Sequence, residues 1–214
     1  MKKNFARRRS AAEKHLAQAC PKLATWIHSS GKCTLEPEWE REPYEALVRA
    51  VAHQQLHARA AEAILGRLLA HFPEESFPEP EQILKLRRPK MRSFGFSESK
   101  TEAIRGIAQA ARDGIVPDRA NCEGLTDTEI IERLVPLRGI GQWTVEMILI
   151  FTLGRMDVMP VDDYGVKSGL MHLYQLDAFP EKKDFAPFTD SWAPYRTIGA
   201  WYLWRLADAQ KKTK

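Results

Sequence analysis

The sequence predicts an all-α protein on three observations. Apolar residues recur at helical spacing along most of the chain, no segment alternates apolar and polar residues persistently, and helix-starting and helix-stopping residues punctuate the pattern. From Tyr44, the positions Leu47, Val48, Val51, Ala52 and Leu56 follow the i, i+3, i+4 rule, and Ala61, Ile64, Leu65, Leu68, Leu69 and Phe72 repeat it. Two amphipathic helices are expected there, with His53-Gln54-Gln55-Leu56-His57 between their stripes. A proline-rich connector follows, then a short helix over Glu81 to Leu86 stopped by Pro89. Ser97 or Ser99 can cap the next helix, and Gly114 stands where a C′ glycine belongs. Thr126 and Glu129 form a capping box ahead of Ile130, Ile131 and Leu134. A further helix begins near Asp162, and the last runs from about Ser191 to Asp208.

Composition sets the bounds. The 214 residues, 44% hydrophobic and 28% charged, are enough for a buried core without staples. Cys20, Cys33 and Cys122 match neither a zinc site nor a disulfide framework, which points to a reducing compartment. No apolar run reaches the roughly 18 residues that a membrane span needs, so no membrane association is expected. The basic start has no apolar stretch of a signal peptide, and Glu13 argues against a transit peptide. Lysine and arginine exceed aspartate and glutamate by 32 to 28, and the pI is about 9.0, which permits binding to nucleic acid without requiring it. Lys2, Lys3, Arg7, Arg8 and Arg9 at one end and Lys211, Lys212 and Lys214 at the other read as solvated tails.

The chemistry concentrates between Val135 and Gly169. In Leu137-Arg138-Gly139-Ile140-Gly141-Gln142-Trp143-Thr144, the two glycines permit φ > 0 and close backbone approach between helices. The free N–H groups and positive dipole end of the second helix suit a phosphate. An ordinary αα-hairpin would use the same glycines, so they do not decide between the two. Asp162 and Asp163 stand at the start of the next helix, where capping and an ionised carboxylate are compatible.

Four motifs in order, AVAHQQLHARAAEAI, LRGIGQWT, PVDDYGVK and WAPYRTIGAWYLW, resemble the helix-hairpin-helix DNA glycosylase superfamily and its alkylation-repair branch, DNA-3-methyladenine glycosylase II. The similarity runs from about Ala12 to Leu206 and corresponds to the compact form without an N-terminal β-rich domain. It implies a two-lobed helical fold with the active site in the cleft between lobes. The terminal lobe is expected over approximately residues 1–50 and 165–214, and the middle lobe, with the hairpin, over approximately 51–164. The implied activity is monofunctional: the enzyme flips an alkylated purine such as 3-methyladenine or 7-methylguanine out of double-stranded DNA and releases it by hydrolysis, the first step of base excision repair.

The resemblance places the catalytic carboxylate on Asp163, where it stabilises positive charge developing on the sugar and orients or deprotonates water. Trp143 stands where lyase-active relatives carry a Schiff-base lysine, so water is the expected nucleophile. Three scattered cysteines cannot hold the iron–sulfur cluster of another branch. Trp143, Trp204, Tyr164, Met147 and Gln54 are expected at the base pocket, where an indole face attracts a cationic alkylated purine. DNA contacts fall on Gly139, Gly141, Gln142, Thr144, Gln55, Leu56 and Arg196, with Gln55 or Leu56 as the wedge that fills the vacated stack. Here Gln55 stands where an apolar wedge is usual and His53 and His57 where small residues are usual; both histidines read as satisfied surface groups. Carbonyl oxygens of Val135, Leu137 and Ile140 are the implied ligands of a structural Na+ or K+, and no other cofactor is expected. A monomer is expected, cytoplasmic and at DNA, in a bacterial nucleoid or a eukaryotic nucleus. The competing readings are a non-catalytic helix-hairpin-helix DNA-binding protein whose aspartates only cap, and a glycosylase for another lesion such as hypoxanthine or ethenoadenine.

Overall fold

Helix caps and apolar stripes are realised nearly as the sequence writes them. A computed structural model describes residues 2–212, and every regular element among them is helical. In chain order they are α1 (Lys2–Ala19), α2 (Pro21–Ser30), α3 (Pro43–His53), α4 (Ala58–Leu69), α5 (Pro80–Lys85), α6 (Arg88–Ser93) and α7 (Glu98–Arg112). Then come α8 (Arg119–Cys122), α9 (Asp127–Leu134), α10 (Gln142–Phe151), α11 (Tyr164–Tyr174), α12 (Ala186–Thr189) and α13 (Arg196–Lys212). Ser97 caps α7 by accepting from Lys100 N–H, and Thr126 and Glu129 close the expected capping box on α9. None of the described helices is long and apolar enough to cross a membrane.

The chain divides into two compact units, Glu40–Ile148 in the middle and Met1–Trp39 with Leu149–Lys214 at the ends. In the middle unit α7 packs against α3, α5 and α6, burying Leu47, Val48, Val51, Ile104 and Ile107. Each such side chain contributes about 1.5–3 kcal/mol on burial. In the terminal unit α11 packs along α13, with α1 and α2 beside them, around Leu16, Leu23, Leu170, Trp192, Tyr202 and Leu203. A Cβ on Gly169 would collide with the backbone of Leu203, so only glycine lets α11 and α13 approach this closely.

Three expectations change. The unit boundaries fall at 39/40 and 148/149 rather than 50/51 and 164/165. The reason is packing: α3 buries its stripe against α4 and α7, while the chain after α10 is tied to the N-terminal segment. There Glu38 N–H donates to the Phe151 carbonyl at 2.8 Å, and the Trp39 ring lies against Gly154. The basic N-terminal residues belong to α1, which buries Phe5, Ala12 and Leu16, so this end is a packed helix and not a tail. At the other end Lys211 pairs with Asp208 at 3.5 Å on α13, whereas Lys214 and the side chain of Lys212 lie outside the described residues. Finally, α13 starts at Arg196: Ser191 sits in a separate 3₁₀ turn, and Pro194, which has no N–H to donate, separates the two.

Candidate active site

Adjacent aspartates have different surroundings. Asp162 is exposed and pairs with Lys167 at 3.5 Å. Asp163 is the N-cap of α11, where its Oδ1 accepts the Val166 N–H at 2.9 Å. The same Oδ1 accepts the indole Nε1–H of Trp204 at 2.7 Å, a bond that joins residues 41 positions apart. Two neutral donors and the positive end of a helix dipole thus converge on one carboxylate. Gly165 makes room for this, since a Cβ there would stand 2.7 Å from Trp204 Cδ1 and 3.2 Å from Asp163 Oδ1.

Two aromatic pairs adjoin Trp204 and Asp163. Phe151 stacks on Trp204 with ring centroids 5.6 Å apart and planes 27° from parallel. Tyr164, 63% exposed and next in sequence to Asp163, meets the edge of the exposed Phe179 at 5.3 Å. Sequence reasoning did not find Phe151, Phe179 or Gly165. The first two carry no signal beyond being apolar; Gly165 stood in the quoted motif, but its role depends on Trp204, which is remote in sequence. Arg196 has a structural duty that differs from the expected DNA contact: Nε and Nη2 donate to the two oxygens of Asp157, each at 2.8 Å. The Arg196 guanidinium holds the Asp157 carboxyl below its ordinary value.

In the middle unit, seven residues join α9 to α10. Gly139 has φ +81°, as the turn requires, but Gly141 is not in the left-handed region and a Cβ on it would meet nothing within 4 Å. Folding therefore demands glycine at 139 only. Trp143 is 45% exposed at the start of α10, Met147 is half-buried, and Gln142 donates to Glu146 at 2.8 Å. Thr144 is buried, so its side chain is withdrawn from the surface where a DNA contact was expected. Leu137 accepts from Ile140 N–H at 3.0 Å. Among the described residues no group of three or more His, Cys, Asp or Glu side chains could hold a metal ion.

The turn after α3 braces this hairpin. Gln54, expected at the base pocket, donates its Nε2–H to the Gly139 carbonyl at 2.8 Å, so its amide fastens the turn to the hairpin. Lys100 Nζ donates to the carbonyls of Ala52 and Gln54, each at 2.8 Å, closing the C-terminus of α3. Gln55 has φ +55°, a conformation that costs a non-glycine residue about 1–3 kcal/mol and collects at functional sites. It and the 40% exposed Leu56 form the tip. His53 pairs with Glu62 at 3.0 Å, and His57 Nδ1 accepts from Arg59 N–H as the N-cap of α4. Both histidines are accounted for structurally.

Residues 48–194 match the HhH-GPD superfamily of base excision DNA repair proteins. The chain belongs to that superfamily. Within it, "DNA-3-methyladenine glycosylase 1" of Schizosaccharomyces pombe is 43% identical over 175 residues, covering 82% of this chain and 77% of the relative. The "Alkylbase DNA glycosidase-like protein mag2" of the same organism is 35% identical over 202 residues, 94% of this chain and 95% of that one. Among solved HhH-GPD structures, the S. pombe 3-methyladenine DNA glycosylase Mag1 in complex with abasic DNA superposes with a TM-score of 0.80 at 40% identity, covering 91% and 95% of the two chains. A DNA-3-methyladenine glycosidase from Bacillus halodurans gives 0.83 at 34% identity, covering 92% and 89%.

Proposed function

We propose that this protein is a monofunctional DNA glycosylase that releases alkylated purines from duplex DNA in base excision repair, with Asp163 as its catalytic residue. The observation that carries the reading is the Asp163 carboxylate, pinned by Trp204 and Val166 at the head of α11 beside an exposed aromatic surface. The relatives named as 3-methyladenine glycosylases, one of them solved on abasic DNA, support the substrate class.

In the proposed reaction the bond between base and C1′ lengthens first, and positive charge spreads over the sugar ring. Asp163 stabilises that charge and orients the water that adds to C1′; the water's proton leaves to the carboxylate or to solvent. The bonding electrons leave with the base. An N-alkylated purine carries a positive charge before cleavage and departs neutral, so the site has no need of an acid to protonate it. Trp143 and Tyr164 each expose ring surface. An indole attracts such a cation by roughly 0.5–2 kcal/mol. The hairpin position that would supply a Schiff-base amine is Trp143, and the Lys100 ammonium is engaged by two carbonyls. Water is then the nucleophile.

The bare backbone at Gly141, which folding does not demand, suits a phosphate drawn close to the hairpin amides. Gln55 and Leu56, at the strained tip, are the wedge candidates. The carbonyls of Val135, Leu137 and Ile140 are the group for a monovalent cation; a carbonyl oxygen has two lone pairs, and that of Leu137 spends one on Ile140 N–H. Such an ion would add positive charge beside a bound phosphate.

The test is release of free base from methylated duplex DNA, with strand nicking scored before and after alkali. Wild type is expected to free 3-methyladenine or 7-methylguanine and to leave strands that break only after alkali. Asp163→Asn keeps a good N-cap residue and should lose on the order of 10²–10³-fold in rate. A protein that binds DNA and frees no base would be a binding module, and equal activity in the variant would remove Asp163 from the mechanism.

A further inference from the structure

The middle unit carries a concentration of positive charge that the reading above leaves unused. Lys85, Arg87, Arg88, Lys90 and Arg92, five cations in eight residues, are all exposed on α5, α6 and the link between them. Lys85, Arg87 and Arg88 line a shallow concavity of about 350 Å³ with Arg105, and no carboxylate joins them in its wall. Arg105 is committed below, donating to the carbonyls of Leu84 and Leu86 at 3.2 and 2.5 Å and so fixing the end of α5. Crowded like charges repel, and an anion seated among them relieves that repulsion.

Two anions of the protein act on Arg88, Glu102 by a direct bond and Glu98 more weakly by its charge. Glu102 on α7 takes a two-point bond from Arg88, with Nε to Oε1 at 2.5 Å and Nη2 to Oε2 at 3.2 Å. Arg105 and Arg138 add their charge at the same carboxylate, which is held below the usual carboxylate range, chiefly by the Arg88 bond. Arg138 is the hairpin residue just before Gly139, and Gly139 lies against Ala103, the neighbour of Glu102 on α7. The α6 cations and the hairpin are therefore two ends of one basic strip, with Glu102 between them. No large hydrophobic side chain is exposed among residues 85–92. That composition lacks the apolar anchors of a membrane-binding surface and the aromatic platforms of a single-strand binder. It fits the phosphates of a duplex.

We infer that Arg138, Arg87, Arg88 and the other exposed cations of α6 form a phosphate track, continuous with the hairpin, that holds duplex DNA beyond the damaged nucleotide, and that Glu102 is an internal counter-anion with which DNA phosphate competes for Arg88. This rests on the proposed glycosylase reading for its partner. The track adds sequence-independent affinity and takes no part in bond cleavage.

The test measures affinity for an undamaged duplex across salt concentrations, beside base release from a methylated duplex at saturating protein. In a triple variant, Arg87→Gln, Lys90→Gln and Arg92→Gln, the Arg88–Glu102 pair stays intact. Each phosphate contact contributes about 0.9 to the slope of log affinity against log salt, so the slope should fall by about 2–3, with affinity down roughly tenfold or more at low salt. Base release at saturation should be unchanged. Glu102→Gln should act in the opposite direction, tightening binding several-fold and steepening the slope. If wild type frees base and both variants bind with the wild-type slope, the track is refuted and the glycosylase reading stands. If Glu102→Gln weakens binding as the triple variant does, Glu102 organises the surface and the competition is refuted. If wild type neither binds duplex nor frees base, the reading itself falls, and the track with it.

Discussion

The Asp163 corner and the Gln54–His57 turn are both candidate functional regions, but they are held in different ways. At the corner, a side chain from α13 reaches a carboxylate 41 residues earlier, through a gap that only glycine leaves open. At the turn, local capping by His57 and a strained Gln55 shape the tip, and a single amide from Gln54 ties it to the hairpin. The comparison teaches that the carboxylate is fixed from several directions by partners near and far in the chain, while the turn is held at its base and left exposed at its end.

Perturbing the corner should give the largest effects. Gly165→Ala would push its Cβ into Trp204 and shift the indole from Asp163. Because a misplacement of about 1 Å costs on the order of 10²-fold, single-turnover base release should fall by about that factor while DNA binding persists. Retained activity would show that the indole bond does not set the carboxylate's position. Trp204→Phe keeps the ring that stacks on Phe151 and removes the donor. Hydrogen bonds to charged groups are worth about 1.5–3 kcal/mol, so the rate at saturating protein should drop roughly 10–100-fold, with affinity little changed.

The turn should respond more weakly and in a different quantity. Gln54→Ala deletes one neutral hydrogen bond to Gly139, worth about 0.5–1.5 kcal/mol. Its expected signature is several-fold weaker DNA binding with the saturated rate unchanged; a loss confined to the saturated rate would return Gln54 to the pocket.

The smallest effect concerns stability. Arg196 holds Asp157 below the ordinary aspartate value, so the unfolded chain binds this proton more readily than the folded one. The stabilisation is complete above the unfolded value of about 3.9 and is lost as pH falls through the lower folded value. Because the pair is about one-third exposed, its worth after screening is about 1 kcal/mol or less. Thermal melts of wild type and Asp157→Asn should differ at neutral pH and converge in acid.

Helices, caps and the family motifs were legible because they are written in neighbours. Thr126 and Glu129 are three apart, the α3 and α4 stripes repeat every three or four residues, and Ser97 and Gly114 act on the chain beside them. The hairpin was legible by resemblance, and the cap at Asp163 from its place before a helix. What no local pattern could give was where a distant partner takes a side chain: Gln54 meets Gly139, Arg196 meets Asp157, and Thr144 is buried.

The sequence by itself therefore determined that this chain is helical, where its helices start, and that it carries a hairpin and an aspartate pair in superfamily order. Local hydrogen bonding and apolar periodicity act over a few residues and need no fold to be read. Tertiary structure alone decided which aspartate receives Trp204, why Gly165 and Gly169 have no side chain, and which arginines gather around Glu102. Those are matters of close approach between residues far apart in the chain, set by packing, and packing is the property that no short stretch of sequence contains.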